Sequence, residues 1–357
     1  MENKVITDEK KNEIRKERQK RRKYRLLILL LLLLGTGTML ATSTYAWFTS
    51  NKTVSVNSIK VNIDAKNGIQ LSADGTNWKS IVQTSDLTSV HATTYTSSVN
   101  QIPSTLEPVS TAGIPDTNGR LPMYYGTIAT SESVQNNGKY ILTATKAIEE
   151  EGNGDTSRGQ FIAFDLFFKV DADTQVYLTT NSGVKTEDIT DTGIKNAARI
   201  AFVNLGNTSA GSSISTIQEL NAGTSSQVYL WEPNYDVHTP AGVANARDVY
   251  GITTTENSGS VLPYSGIISA ITSDDDVLLG DATEAKHDTL FKGVTPNYTT
   301  VNGFSDYEQI FSLTSGITKY RIYMWIEGQD VDCENNASGG SVTFDLQIST
   351  EDPSAGA

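Results

Sequence analysis

The chain has 357 residues, a formal net charge of −13 and a single cysteine, Cys333. An acidic body repels nucleic acid and anionic lipid, which excludes both as partners of the main domain. One cysteine excludes a disulfide framework, and a chain of this length buries enough core to fold without one. Cys333 itself, in "GQDVDCENN", has no neighbouring base to activate it and reads as a small buried hydrophobe.

The charge is unevenly placed. Residues 1 to 25 hold 11 Lys+Arg against 5 Asp+Glu, leaving 17 basic and 36 acidic residues, a net of −19, in the rest. A basic tip before an apolar block marks the cytoplasmic side of a membrane-targeting segment, because Lys and Arg resist translocation. The block is Leu26 to Leu34, followed by the small-residue stretch "GTGTMLATSTYA". Small side chains at Ser43 or Thr44 and at Ala46 suit a signal peptidase cutting between Ala46 and Trp47. The other reading keeps Leu26 to Phe48 as an anchor, since 23 mostly apolar residues span a bilayer and Trp47 and Phe48 then sit at its outer interface. Gly35, Thr36, Gly37, Thr38, Thr42, Ser43 and Thr44 dilute its second half and favour cleavage. Either way the acidic body lies outside the cytoplasm. The expected organisation is a basic n-region over 1–25, a signal peptide or anchor over 26–46, one domain over 47–350 and a tail over 351–357.

The stretch "GTGTMLATSTYAWFTSNKTVSVNSIKV" resembles the amino-terminal signature of the TasA–camelysin family of secreted Gram-positive matrix-fibre proteins. Thr44, Tyr45, Ala46, Trp47 and Phe48 carry the likeness, which covers residues 26 to 65. It implies processing by a dedicated signal peptidase, a jelly-roll sandwich and polymerisation through the freed N-terminal strand. The 311 residues after Ala46 form a long body for such a subunit, so loop insertions are expected.

Beyond Thr53 the chain reads as β. In "TVSVNSIKVNIDA", Val54 and Val56 alternate, then Ile59, Val61 and Ile63, with a slip at Asn57–Ser58 that predicts a bulge or a break. "GIQLSADGTNWKSI" predicts a hairpin around Asp74–Gly75. Residues 84 to 119 are Thr/Ser-rich with several prolines and read as an ordered surface loop. "GKYILTAT" is a strand, and Phe161 to Val170, with four Phe, reads as a strand buried on both faces. Val176 to Thr180 follows after a turn, and "AARIAFVNL" is a further strand after a helical turn at Ile194 to Ala197. From about Gly206 to Phe311 the pattern weakens, though strands such as "QVYLWEP" persist, and this region reads as an elaborated excursion from the sandwich and not a separate domain. "TKYRIYMWIEG" and "SVTFDLQIST" alternate clearly and are antiparallel neighbours or sheet-switching partners. Many short strands with Gly/Ser/Thr/Asn turns predict an all-β, antiparallel, jelly-roll-like sandwich with long loop insertions.

Chemistry is sparse. His91, His238 and His287 stand apart in polar contexts and read as surface histidines, and no H-E-x-x-H, G-x-S-x-G or P-loop occurs. Glu327, Asp330, Asp332 and Glu334 lie between two firm strands and could converge on Ca²⁺, as could Asp274, Asp275, Asp276 and Asp281. Against this, Asp and Asn favour turns in their own right. "EEEG" at Glu149 to Gly152 reads as a solvated loop. Tyr124, Tyr125, Trp231 and Tyr235 read as packing residues before they read as a sugar platform.

The expected function is a secreted cell-surface or extracellular-matrix structural protein, not an enzyme. It would be a fibre- or biofilm-forming subunit whose donor strand, with Trp47, Phe48, Val54 and Val56, inserts into the next copy. Its partners would be a signal peptidase and further copies of itself, with membrane contact only through residues 26–48 before cleavage, and no cofactor beyond a Ca²⁺ ion. The runner-up is a membrane-tethered adhesin or carbohydrate-binding surface module, and a secreted hydrolase ranks last.

Overall fold

The computed structural model describes Lys20 and residues 54–63, 68–130, 140–149, 159–186, 192–250, 252–256, 261–262, 264–272, 287–299, 308–333 and 340–350. The chain divides into two units, Met1–Thr44 and Tyr45–Ala357, and all that follows concerns the second. Among the described residues no helix is long and apolar enough to cross a membrane; the Leu26 to Phe48 block lies outside them.

Two sheets face each other. The first has the order β15 (Glu308–Leu313), β8 (Thr174–Leu178), β17 (Ser341–Ser349), β1 (Val54–Ile63) and β3 (Ile81–Gln83), with β4 (Thr105–Leu106) also beside β1 and β9 (Gly183–Lys185) also beside β17. The second has the order β14 (Tyr298–Thr299), β11 (Gln227–Glu232), β10 (Ala198–Thr208), β16 (Gly316–Ile326), β7 (Ile162–Val170) and β2 (Gln70–Ser72). Two hairpin sheets stand apart, β5 (Tyr124–Thr130) with β6 (Tyr140–Lys146), and β12 (Tyr264–Ile267) with β13 (Phe291–Val294). Among the described residues four α-helices interrupt the strands: α1 (Thr84–Thr93), α2 (Ile214–Gln218), α3 (Pro240–Tyr250) and α4 (His287–Leu290). The protein is an all-β sandwich. Most ladders are antiparallel, but β1 runs parallel to β17 and β11 parallel to β14.

Period-two patterning explains the layers. On β16, Tyr320, Ile322, Met324 and Ile326 face the main core between the sheets, and so do Phe164 and Phe168 of β7. Across the gap, Phe311 of β15 stacks on Tyr320 with centroids 4.2 Å apart, tying sheet to sheet. The alternate residues, Tyr323 and Trp325 with Ala163, Ala201 and Val203, fill a second apolar layer on the outer face. That layer is covered by Val109, Leu121, Met123, Tyr264 and Val294, from the two connecting regions and hairpins. Every residue of β16 is therefore buried, as are both faces of β7.

Several expectations hold and several are corrected. β1 is one strand whose register shifts between Val56 and Ser58, where the pattern slips. β16 and β17 are sheet-switching partners, not neighbours. The expected hairpin at Asp74–Gly75 reduces to one bridge, Leu71 to Lys79, because β2 belongs to the second sheet and β3 to the first. Gly75 has φ of +71° there, so the turn demands glycine. Residues 84 to 119 are not a surface loop: they hold α1 and β4, and Leu87, Val90, Tyr95, Leu106 and Val109 are buried under the sandwich. Nor is the 206–311 region wholly an excursion, since β11 is hydrogen-bonded along β10 within the second sheet. The helical turn at 194–197 is a plain turn.

Candidate functional site

The expected donor strand, Trp47 to about Asn57, is described from Val54 onward, as part of β1. It sits inside the chain's own first sheet, between the final strand and two very short ones. The ladder with β17 runs from Ser55–Ser341 to Ile63–Ile348. On the other edge β4 meets only Val54 and Ser55, and β3 only Lys60, Val61 and Asn62. Val54, Ile59 and Val61 are buried, and Val56 packs partly buried against the core. Hence in the isolated chain the strand completes its own sandwich. Ala46, Trp47 and Phe48 lie outside the described residues.

The acidic loop after β16 has a different character from the one expected. Glu327 accepts from Trp325 Nε1 and from the backbone N–H of Gln329, both at 3.0 Å. Asp330 Oδ2 takes Arg199 Nη2 at 2.5 Å, and its Oδ1 accepts the Asp332 N–H at 2.8 Å. Asp332 Oδ1 accepts from the N–H of Thr239 at 2.8 Å and its hydroxyl at 2.9 Å, and Oδ2 lies 2.8 Å from His238 Nδ1. Arg199 also reaches Glu232 Oε1 at 2.7 Å, while its Nη1 donates to the carbonyls of Asn196 and Ala198. The Ca²⁺ reading of Glu327, Asp330 and Asp332 is corrected accordingly: protein donors, not one shared cation, take their oxygens. Glu334 and the 274–281 aspartates lie outside the described residues, among which no group of three or more His, Cys, Asp or Glu could hold a metal. His238 is buried against this loop and is no surface histidine.

Burial dominates the titration here. It pushes Glu327 up to about 7 despite the bonds from Trp325 and Gln329. It likewise pushes Glu232 up to about 7, with Arg199 opposing and Asp330 adding to the rise. Burial pulls His238 down, but its bond to Asp332 outweighs that and holds it above the usual imidazole value.

A second buried cluster sits mid-sheet. Asp165 on β7 takes Arg321 Nη1 at 2.7 Å, the Tyr95 hydroxyl at 2.6 Å and Lys319 Nζ at 3.2 Å. Arg321 Nε donates to Glu149 Oε1 at 2.5 Å, and Nη2 donates to the Val99 carbonyl at 2.8 Å. Lys319 Nζ donates to the Gln218 carbonyl at 2.7 Å. Glu149 is thus a buried ion-pair partner instead of a solvated residue. Burial would raise Asp165, yet the Lys319 and Arg321 charges overcome it and hold the carboxyl at about 2. A cavity of about 270 Å³ opens over this cluster, lined by Tyr95, Arg120, Lys319 and Arg321 among others.

Trp231 and Tyr124 are packing residues, and Cys333 is buried, as the sequence reading had them. Pattern reading missed the two ionic clusters. One signal was present: Lys319 and Arg321 stand inside the apolar run "TKYRIYMWIEG", and a cation in a doubly buried strand requires a buried carboxylate. No protein-family model matches the chain, and neither a curated protein nor a solved structure matches it.

Proposed function

We propose that the protein is an exported structural subunit of the cell surface or extracellular matrix, and that it assembles by donating its first strand to the next copy. The observation that carries this reading is the position of β1. It is the first strand after the predicted cut, it fills the core with Val54, Ile59 and Val61, and one of its edges is held by only two short strands. Removing it would open a groove between β17 and the β3/β4 edge, with backbone donors and acceptors exposed. The same strand from another copy fits that groove residue for residue, since the sequence is identical. A swap in which each copy gives to the next is heterologous, and where its rotation does not close into a ring it extends into a filament. The membrane segment would hold the donor back until it is cut after Ala46.

Two measurements test this. N-terminal sequencing of protein from the cell surface and medium is expected to begin at Trp47; an intact terminus confined to membranes would favour the tethered adhesin instead. Cross-linking then asks where β1 sits. Val56 and Val342 are paired positions on β1 and β17. Chains carrying Val56→Cys mixed with chains carrying Val342→Cys are expected to form intermolecular disulfides in assembled material. Disulfides that form only within a doubly substituted chain would overturn strand donation.

A further inference from the structure

One guanidinium serves two carboxylates at the end of the sandwich where β11 and β16 finish. Arg199 Nη2 donates to both Glu232 Oε1, at 2.7 Å, and Asp330 Oδ2, at 2.5 Å. Both are buried, and Glu232 Oε2 and His238 Nε2 meet no hydrogen-bond partner among the described residues. The groups facing Glu232 are Arg199 from β10, Asp330 and Asp332 from the loop after β16, and His238 from the segment before α3. Glu327 and Tyr264 of β12 face Arg199 as well. With every carboxyl ionised and His238 neutral, four negative charges meet one positive charge. With Glu232 and Glu327 protonated and His238 charged, the same cluster is neutral. A buried ionised oxygen without a donor is costly, whereas a protonated carboxyl there is far less so.

We propose that Glu232 is a proton-operated brace: it carries a proton in the folded state, and its ionisation loosens the pole formed by the end of β11, the Glu327–Cys333 loop and the start of α3. The brace has mechanical reach because Glu232 bonds Arg199, Arg199 bonds Asp330 of the loop, and the loop is in turn tied to the helix. Asp332 bonds Thr239, whose hydroxyl accepts from the Gly242 N–H at the start of α3, and Asn245 of α3 donates to the Val331 carbonyl at 3.1 Å. The pKa direction agrees. Glu232 is raised from the ordinary glutamate value of 4.5 to about 7 by burial. A raised group stabilises the fold fully below its unfolded value, and that contribution is lost as pH climbs through the folded one. His238 is raised too, so its titration acts with the same sign. The pole is therefore tight in mild acid and loosens above neutrality. This inference is independent of strand donation.

The test is native-state hydrogen exchange on the full chain in detergent, read by peptide mass spectrometry and corrected for the intrinsic exchange rate at each pH. Between about pH 5.5 and 8.5, protection of the Glu327–Cys333 loop and the start of α3 is expected to fall on the order of tenfold or more, while β7 stays constant. In Glu232→Gln, which fixes the neutral form, the fall should be shallower by one proton per opening, the remainder belonging to Glu327, His238 and Asp332, whose carboxyl burial also raises. An unchanged fall in that variant, or flat protection in the wild type, overturns the proposal. If the variant does not fold, infrared spectra of Glu327→Gln combined with Asp332→Asn decide, since burial raises the Asp332 carboxyl as well. A buried protonated-carboxyl band at mildly acidic pH that vanishes at alkaline pH is expected from Glu232, and its absence at every pH overturns the brace.

Discussion

The two buried ionic clusters use the same residue types and behave oppositely. Mid-sheet, Arg321 and Lys319 meet Asp165 and Glu149, two cations against two carboxylates, with Tyr95 adding a neutral donor. At the pole, Arg199 and His238 meet Glu232, Asp330, Asp332 and Glu327. Burial acts to raise Asp165, Glu232, Glu327 and Asp332 alike. Where cations match carboxylates, their charge wins and Asp165 is held at about 2. Where carboxylates exceed cations, burial wins and Glu232 and Glu327 rise to about 7. Local charge balance, not burial, decides whether a buried acid is a fixed charge or a titrating one.

Breaking the balanced cluster should have the largest effect. Arg321→Met takes from Glu149 its Arg321 partner and leaves Asp165 with Lys319 alone among the described cations, and is expected to destabilise by about 3–5 kcal/mol, a large fraction of a typical domain's stability. Urea unfolding at neutral pH reads this directly. Arg199→Met should approach the same loss at alkaline pH and lose less in mild acid, because Glu232 and Glu327 then hold protons and need no counter-charge, while Asp330 loses its 2.5 Å partner at either pH. Equal losses at both pH values would contradict the contrast between the clusters. The acid limb sharpens it further. Asp165 lies below its unfolded value, so its contribution is present above about 3.8 and is lost as pH falls through about 2. Stability should thus fall at the acid end through the centre of the sheet and at the alkaline end through the pole, with Asp165→Asn flattening only the acid limb.

A smaller effect is expected at the β2–β3 crossing. Asp74 accepts from the N–H groups of Thr76 and Asn77 at 2.8 and 2.7 Å and from the Thr94 hydroxyl at 2.6 Å. Asp74→Ala orphans these donors and should cost about 1–3 kcal/mol, read by thermal unfolding.

What the sequence made legible follows from period. Strands with a clean alternation or a dense apolar run, such as Ile322–Met324–Ile326 and Phe164 to Phe168, announce themselves because side-chain facing is local. The slip at Asn57–Ser58 was equally local. Sheet membership was not: Asp74–Gly75 signals a turn, but whether the strands on either side pair or cross between sheets depends on partners far along the chain. The same holds for the ionic clusters. Asp165 and Arg321 are cross-strand partners 156 positions apart, and Arg199 reaches Asp330 across 131. The acidic loop resembled a cation site because its spacing shows the carboxylates and hides the arginine. Residues 84 to 119 looked solvated because Ser and Thr dominate, yet Leu87, Val90, Tyr95 and Leu106, spaced irregularly, were enough to bury it.

The smallest effect concerns an ion pair outside both clusters. Lys79 Nζ lies 2.5 Å from Asp86 Oδ1, a shorter approach than Lys319 makes to Asp165, and the Lys79 side chain is 46% exposed. Water and salt screen such a pair, and holding a long side chain in place costs entropy, so Lys79→Ala should change stability by about 0–1 kcal/mol despite the short distance. Its partner does more. Asp86 Oδ2 also accepts the Gln83 N–H at 3.0 Å, closing a capping box at the start of α1. Asp86→Ala should therefore cost about 1 kcal/mol more than Lys79→Ala, from the lost cap. Raising the salt concentration should erase the Lys79 effect and leave the Asp86 difference, because a hydrogen bond to the backbone is not screened as an exposed ion pair is. If salt removed both, the capping bond would carry no energy, and Asp86 would matter only as a surface charge.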